Sequence, residues 1–181
     1  MPAFVALLRG VNVGKARRVP MVALRGMLTR LGYTGVATAL NSGNAVFRAA
    51  KGTSARHASD IAAAISDNLQ IEVLVIVKSA SEMSAIVSEN PLLTDAPNPS
   101  RLLVAFVQDS KALSGLAAIE SFVVPPERFA IGRKAAYLLC PDGIRGSNAG
   151  AALLGKTGRA ATTRNWSTVL RLQALSSEHD A

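Results

Sequence analysis

Arg9, Gly10, Asn12, Gly14 and Lys15 crowd into the stretch "RGVNVGK", which follows a short apolar run near the start of the chain. Arg17 and Arg18 come directly behind, and no acidic residue stands among these basic ones. Glycine amides beside cationic side chains are the chemistry of holding an anion. The best-known arrangement is the P-loop, G-x-x-x-x-G-K-[ST], whose amides and lysine cradle phosphates. This stretch is not one: Gly10 and Gly14 are one residue too close, and Ala16 takes the place of the magnesium-binding hydroxyl. The dinucleotide fingerprint G-x-G-x-x-G is absent as well. A looser anion site built from glycine amides with Arg9 or Lys15 remains. Its plain alternative is a flexible connection whose basic side chains are solvated.

Three further stretches carry candidate chemistry. "NSGN", Asn41-Ser42-Gly43-Asn44, lies between two strand-like runs. Its glycine and asparagines tolerate positive φ and satisfy turn backbone groups, so it signals a hairpin. "PDGIRGSN" opens on the strong turn signal Pro141-Asp142-Gly143, and Arg145 with Ser147 would add an anion contact. "ATTRNW" reads as the start of the last helix, with Thr162 or Thr163 as its cap and Arg164 and Asn165 beside free amides. The plain alternative there is a cap followed by Trp166 as a core anchor.

Other chemistries find little support. The acidic residues are dispersed, no G-x-S-x-G elbow exists, and no Cys/His cluster suggests a metal, so no cofactor is expected. His57 falls in a polar helix start and His179 in a tail expected to fray. Cys140 is the single cysteine; it lies in a strand before Pro141 as a buried, inert thiol and fits a reducing cytoplasm. The apolar runs are too short to cross a bilayer and no signal peptide is evident, so a cytoplasmic location without membrane association is expected. A net charge of +8 makes an anionic partner, small molecule or nucleic acid, worth weighing against a merely solubilising surface.

The elements that must position these residues follow from periodicity. Residues 4–8 form a strand. Pro20 starts a helix carrying Met21, Leu24, Leu28 and Leu31 until Gly32. Residues 36–40 and 45–49 form the hairpin strands. Thr53 or Ser54 caps a helix bearing Ala58, Ile61, Ala62, Ile65 and Leu69, and residues 73–77 close the unit as a strand. This order, β-α-β-β-α-β over residues 3–78, is the ferredoxin-like split β-α-β unit.

A second series begins with a helix opened by the capping-box pair Ser79 and Glu82 and stopped near Asn90-Pro91. "DAPNPS" is a loop. A strand at 102–107, a helix at 111–121, strands at 128–131 and 136–140 and a Ser147-capped helix through Leu154 follow. A closing helix presenting Trp166, Val169, Leu170 and Gln173 stands where a fourth strand would be expected. The fold class is therefore α+β, two ferredoxin-like halves packed together with mainly antiparallel sheets, divided as residues 1–78 and 79–181. Strands such as "FVALL" and "LLVAFV" are apolar at successive positions, which predicts burial on both faces. The other half of the chain is the simplest cover.

Topology bears on the candidate site. In the ferredoxin-like order 4-1-3-2, strand 3 runs antiparallel beside strand 1, so "NSGN" should neighbour "RGVNVG". Arg9, Asn12, Asn41, Ser42 and Asn44 are expected to converge there as a polar, positively charged pocket. An RNA-recognition motif is not expected: strand 3 offers one aromatic, Phe47, and aromatics make up only 4% of the chain, too few for a base-stacking platform.

Together "ALLRGVNVG", "NSGN", "PDG" and "ATTRNWSTVLRL" resemble the bacterial domain-of-unknown-function 1697 family, over essentially the whole chain. The resemblance implies an α+β fold of two ferredoxin-like halves and no particular activity. The sequence departs from the family at Gly146-Ser147-Asn148, where the family tends to show serine followed by lysine. Two functions follow as expectations. One is a cytoplasmic binding protein holding a phosphate-bearing ligand or a nucleic-acid backbone through Arg9, Asn12, Lys15, Asn41, Ser42, Asn44, Arg164 and Asn165. The other is an enzyme on a small phosphorylated or carboxylated metabolite, with Ser42 or Lys15 as nucleophile or base. The oligomeric state stays open.

Overall fold

Phe4, Ala6 and Leu8 alternate along the first strand, and all three are buried in one cluster with Leu24, Met27, Leu28, Ile61 and Ile65 from two helices. That alternation lays one face of a sheet against a helical layer. The structure, a computed structural model, describes residues 1–93 and 98–181. Its first series is β1 (Ala3–Leu8), α1 (Met21–Arg30), β2 (Thr34–Thr38), β3 (Asn44–Arg48), α2 (Ser54–Leu69) and β4 (Val75–Ser79). The sheet order is β2-β3-β1-β4, with β1 antiparallel to both neighbours. Local signals act as expected: Thr53 caps α2 by accepting from the Arg56 amide at 3.2 Å. Strand β2 begins two residues early because Gly35, at φ +58°, forms a bulge between Thr34 and Ala37 and does not end the preceding turn.

The second series is α3 (Ala80–Ser88), β5 (Leu102–Val107), α4 (Ser110–Gly115), β6 (Arg128–Ile131), β7 (Ala135–Leu139), α5 (Asn148–Leu154), β8 (Ala161–Asn165) and α6 (Trp166–Asp180). Ser79 and Glu82 form the reciprocal capping box at α3: the Ser79 amide donates to Glu82 Oε2 at 2.8 Å, and the Glu82 amide to Ser79 Oγ at 3.2 Å. Part of "DAPNPS", residues 95–97, lies outside the described residues; beyond it Pro99–Arg101 make a single 3-10 turn. The expected helix at 111–121 breaks at Gly115 into α4 and a 3-10 segment, Leu116–Phe122.

One expectation is overturned. "ATTRN" is not a helix start but the missing fourth strand, β8, antiparallel to β5 in a sheet ordered β6-β7-β5-β8. Thr162 and Thr163 are β-branched residues suited to a strand, and they pair with Phe106 and Ala105. The cap of α6 is Asn165, whose Oδ1 accepts from the Thr168 amide at 3.0 Å. Both halves are thus complete β-α-β-β-α-β units. As the successive apolar positions predict, every residue of β1 and of β5 is buried.

The chain divides into two compact units, Met1–Met83 with Leu172–Ala181, and Ser84–Arg171. The last helical turns group with the first unit for a local reason. Asp180 Oδ1 accepts from the Ala3 amide at 3.0 Å, and the His179 ring nitrogens lie 2.8 Å from the Leu175 carbonyl and 2.7 Å from that of Gly35. His179 is therefore tied down and not in a frayed tail. His57, expected in a polar helix start, is buried at 3% exposure, because rings from β1, β3 and the residue before β2 close over it.

Candidate anion site at the first loop

The β1–α1 loop leaves the sheet between two neighbours. The Leu8 amide donates to the Gly43 carbonyl and the Arg9 amide to that of Leu74, both at 2.9 Å. Beyond this point the chain folds back on itself through four left-handed residues, Gly10, Asn12, Gly14 and Arg17. Asn12 holds the fold. Its Nδ2 donates to the carbonyls of Val19 at 2.9 Å and Asn41 at 2.6 Å, and its Oδ1 accepts from the Val19 amide at 2.9 Å. Gly43 lets the hairpin abut the loop: a Cβ there would stand 2.6 Å from Val11 Cγ2 and 2.8 Å from Leu8 Cβ. The predicted adjacency of "RGVNVG" and "NSGN" is a feature of the structure.

The roles within that rim differ from the expectation of a shared polar pocket. Asn44 is fully buried, and its Nδ2 donates to the Ala39 carbonyl at 3.0 Å and to Ser42 Oγ at 2.9 Å, so it shapes the hairpin. Asn12 likewise serves the backbone. A cleft of about 300 Å³ opens beside them, lined by Asn12, Gly14, Arg18 and Asn41 and by the segment Val19, Pro20 and Met21. Arg9 and Lys15 are not in its lining; Arg18 is. Among the described residues no side-chain hydrogen bond or ion pair engages Arg18 or the Asn41 carboxamide. Sequence reasoning placed Arg18 in the basic cluster but not in the site. The signal that singles it out is its position directly before Val19, the residue Asn12 clamps.

Electrostatics sharpen the loop's character. Burial holds the half-buried Arg9 below the usual guanidinium pKa, and the like charge of Arg17 lowers it further. The Arg17 guanidinium donates to the Glu72 carbonyl, which anchors that charge to the backbone ahead of β4.

The remaining predicted site residues lie on β8. Arg164 is 8% exposed, and burial pushes its pKa down to about 10. Its Nη1 donates to Thr162 Oγ1 and to the Thr163 carbonyl, both at 2.8 Å. Asn165 caps α6. Among the described residues no group of three or more His, Cys, Asp or Glu lies together as a metal site, and no helix is long and apolar enough to cross a membrane.

A family model described as "Protein of unknown function (DUF1697)" matches residues 1–137, which hold the loop and the hairpin. The structure of conserved bacterial protein SP0830 from Streptococcus pneumoniae shares this fold, with a TM-score of 0.80 over 97% of this chain and 98% of that chain at 21% sequence identity. Protein BT0572 from Bacteroides thetaiotaomicron aligns over 92% of this chain and 94% of that chain at 10% identity, with a TM-score of only 0.22. No curated protein matches the sequence.

Proposed function

The chain belongs to the DUF1697 family, a family described by no activity, and from that premise we propose that it is a cytoplasmic protein binding a phosphate-bearing ligand in the cleft beside Asn12. One observation carries the reading. A guanidinium, Arg18, and a carboxamide, Asn41, share a cleft with the apolar segment Val19–Pro20–Met21, and neither has a side-chain partner among the described residues. A phosphate accepts from both groups, and guanidinium–phosphate pairs gain from two-pronged geometry. The basic loop adds long-range attraction, since Arg9, Lys15, Arg17 and Arg18 stand together without an acidic residue among them. An anion beside this loop also relieves the repulsion between Arg9 and Arg17. The cytoplasmic assignment rests on the single buried thiol, Cys140, which suits a reducing compartment.

The test is calorimetric titration of the full chain at low salt with inorganic phosphate, ribose 5-phosphate and adenosine monophosphate. Saturable binding is expected, weakened about tenfold or more in Arg18→Ala, which corresponds to about 1.4 kcal/mol. Lys134→Ala, an exposed cation outside the cleft, should bind as the parent does. Absence of binding, or equal binding by Arg18→Ala, overturns the proposal. Binding of single-stranded DNA or RNA with a steep salt dependence, and of none of the small phosphates, would assign the loop to a nucleic-acid backbone instead.

A further inference from the structure

The stretch "PDGIRGSN" builds a second cavity, and its residues share none with the cleft beside Asn12. Asp142, Gly143 and residues 145–148 after β7, with Val124, Pro125, Pro126 and Glu127 before β6, line about 320 Å³. That is at the small end of ligand pockets, which run from about 300 to 1,000 Å³. Its loop is braced from within. The Gly143 amide donates to the Cys140 carbonyl at 2.9 Å, and the Ser147 amide to that of Ile144 at 3.1 Å. Gly143, at φ +96°, lies against the Arg101 guanidinium where a Cβ would collide.

Ser147, expected as an anion contact, is already engaged: its Oγ accepts from the Gly150 amide at 2.9 Å. Glu127 is partly engaged, since its Oε2 accepts from the Val124 amide at 3.2 Å. Asp142, Arg145 and Asn148 also line the cavity, and among the described residues no side-chain hydrogen bond or ion pair engages any of them. A carboxylate and a guanidinium thus share one small cavity without pairing with each other. A simple anion placed there meets Asp142 and Glu127 and is repelled; a simple amine meets Arg145. A molecule bearing both charges satisfies both.

We infer that this cavity binds a free α-amino acid with an apolar side chain. The ammonium group donates to Asp142 with Glu127 adding negative potential, the carboxylate accepts from Arg145, and the side chain lies along Val124, Pro125 and Pro126. Asn148 can serve either end, having both a donor and an acceptor.

L-leucine is the probe, titrated into the ¹⁵N-labelled full chain and followed at the amides of Gly143 and Gly146. Saturable shifts at millimolar leucine are expected. Arg145→Ala and Asp142→Asn, both exposed positions whose replacement leaves the core intact, should each weaken binding about tenfold or more, roughly 1.4 kcal/mol. The analogues lacking one charge, 4-methylpentanoate and L-leucinamide, should be weakened to the same extent. No saturable shift with leucine overturns the inference. So does equal binding by either analogue, which would reduce the site to an apolar wall, or unchanged affinity in both folded variants.

Discussion

The side-chain amide of Asn12 donates to the backbone carbonyl of Asn41 at 2.6 Å, joining two loops 29 residues apart in sequence. With its two bonds to Val19, this one carboxamide sets the width of the cleft that Arg18 lines. Asn12→Ala leaves a half-buried amide and two carbonyls without their partner, at a cost of about 1–3 kcal/mol. Urea denaturation should show a lower midpoint at unchanged slope. A midpoint equal to the parent's would show that solvent replaces the clamp without loss.

His57 gives the first unit an acid-sensitive core. Its Nδ1 lies 2.8 Å from Tyr33 Oη, and its ring packs edge-on against Phe4, Tyr33 and Phe47. Nε2 is buried without a hydrogen-bond partner among the described residues, with Gly52 against the ring. Burial lowers its pKa below the ordinary value, and Asp60, which is bridged to Arg56 at 3.0 Å, opposes the shift only in part. The unfolded chain therefore takes up this proton near pH 6.5, whereas the folded chain does so only in stronger acid. Stability from this group is full above about pH 6.5 and falls as pH drops through the folded pKa, by at most about 1.4 kcal/mol per pH unit. Urea midpoints measured against pH should lose that component in His57→Phe. Parallel profiles for parent and variant would exclude it.

Alkali should act through the tyrosines. Tyr33 and Tyr137 are the only two in the chain. Both have pKa values pushed up to about 12, foremost by burial and secondarily by Asp60 near Tyr33 and Glu89 near Tyr137. Tyr137 Oη also donates to the Ile86 carbonyl at 2.7 Å. The folded pKa lies above the unfolded value of about 10, so this stabilisation is complete below pH 10 and is lost between there and about pH 12. Phenolate absorbance should therefore rise together with loss of structure. A tyrosine titrating reversibly near pH 10 in the folded chain would refute the assignment.

Cys140 should be silent until the chain unfolds. Its thiol is 1% exposed, and burial raises its pKa, partly offset by the hydrogen bond to Ser147 Oγ at 3.6 Å. A disulfide reagent at neutral pH should label it only in denaturant, because reaction needs an accessible thiolate. Rapid labelling of the native protein would contradict the buried site.

Periodicity, caps and turn chemistry by themselves determined most of the architecture, because these signals act over a few residues. The helical spacing of Ala58, Ile61 and Ile65, the Ser79–Glu82 capping box and the Ser147 cap all operate as their residue types demand. Even the meeting of "RGVNVG" with "NSGN" was legible, since an antiparallel β1–β3 pair leaves no other place for the hairpin.

Strand β8 was not legible. "ATTRN" has no apolar run, and its conformation comes from pairing with β5, some sixty residues earlier in the chain. Burial of His57 had the same origin, three aromatic rings brought from separate segments. The site residues divide along this line. Sequence located the basic loop and the asparagines, but only the tertiary structure decided that the Asn12 and Asn44 carboxamides bond the backbone while the Arg18 and Asn41 side chains in the cleft have no side-chain partner among the described residues. A side chain's role depends on which donors and acceptors stand within about 3 Å of it, and in a loop with four left-handed residues no local pattern specifies that neighbourhood.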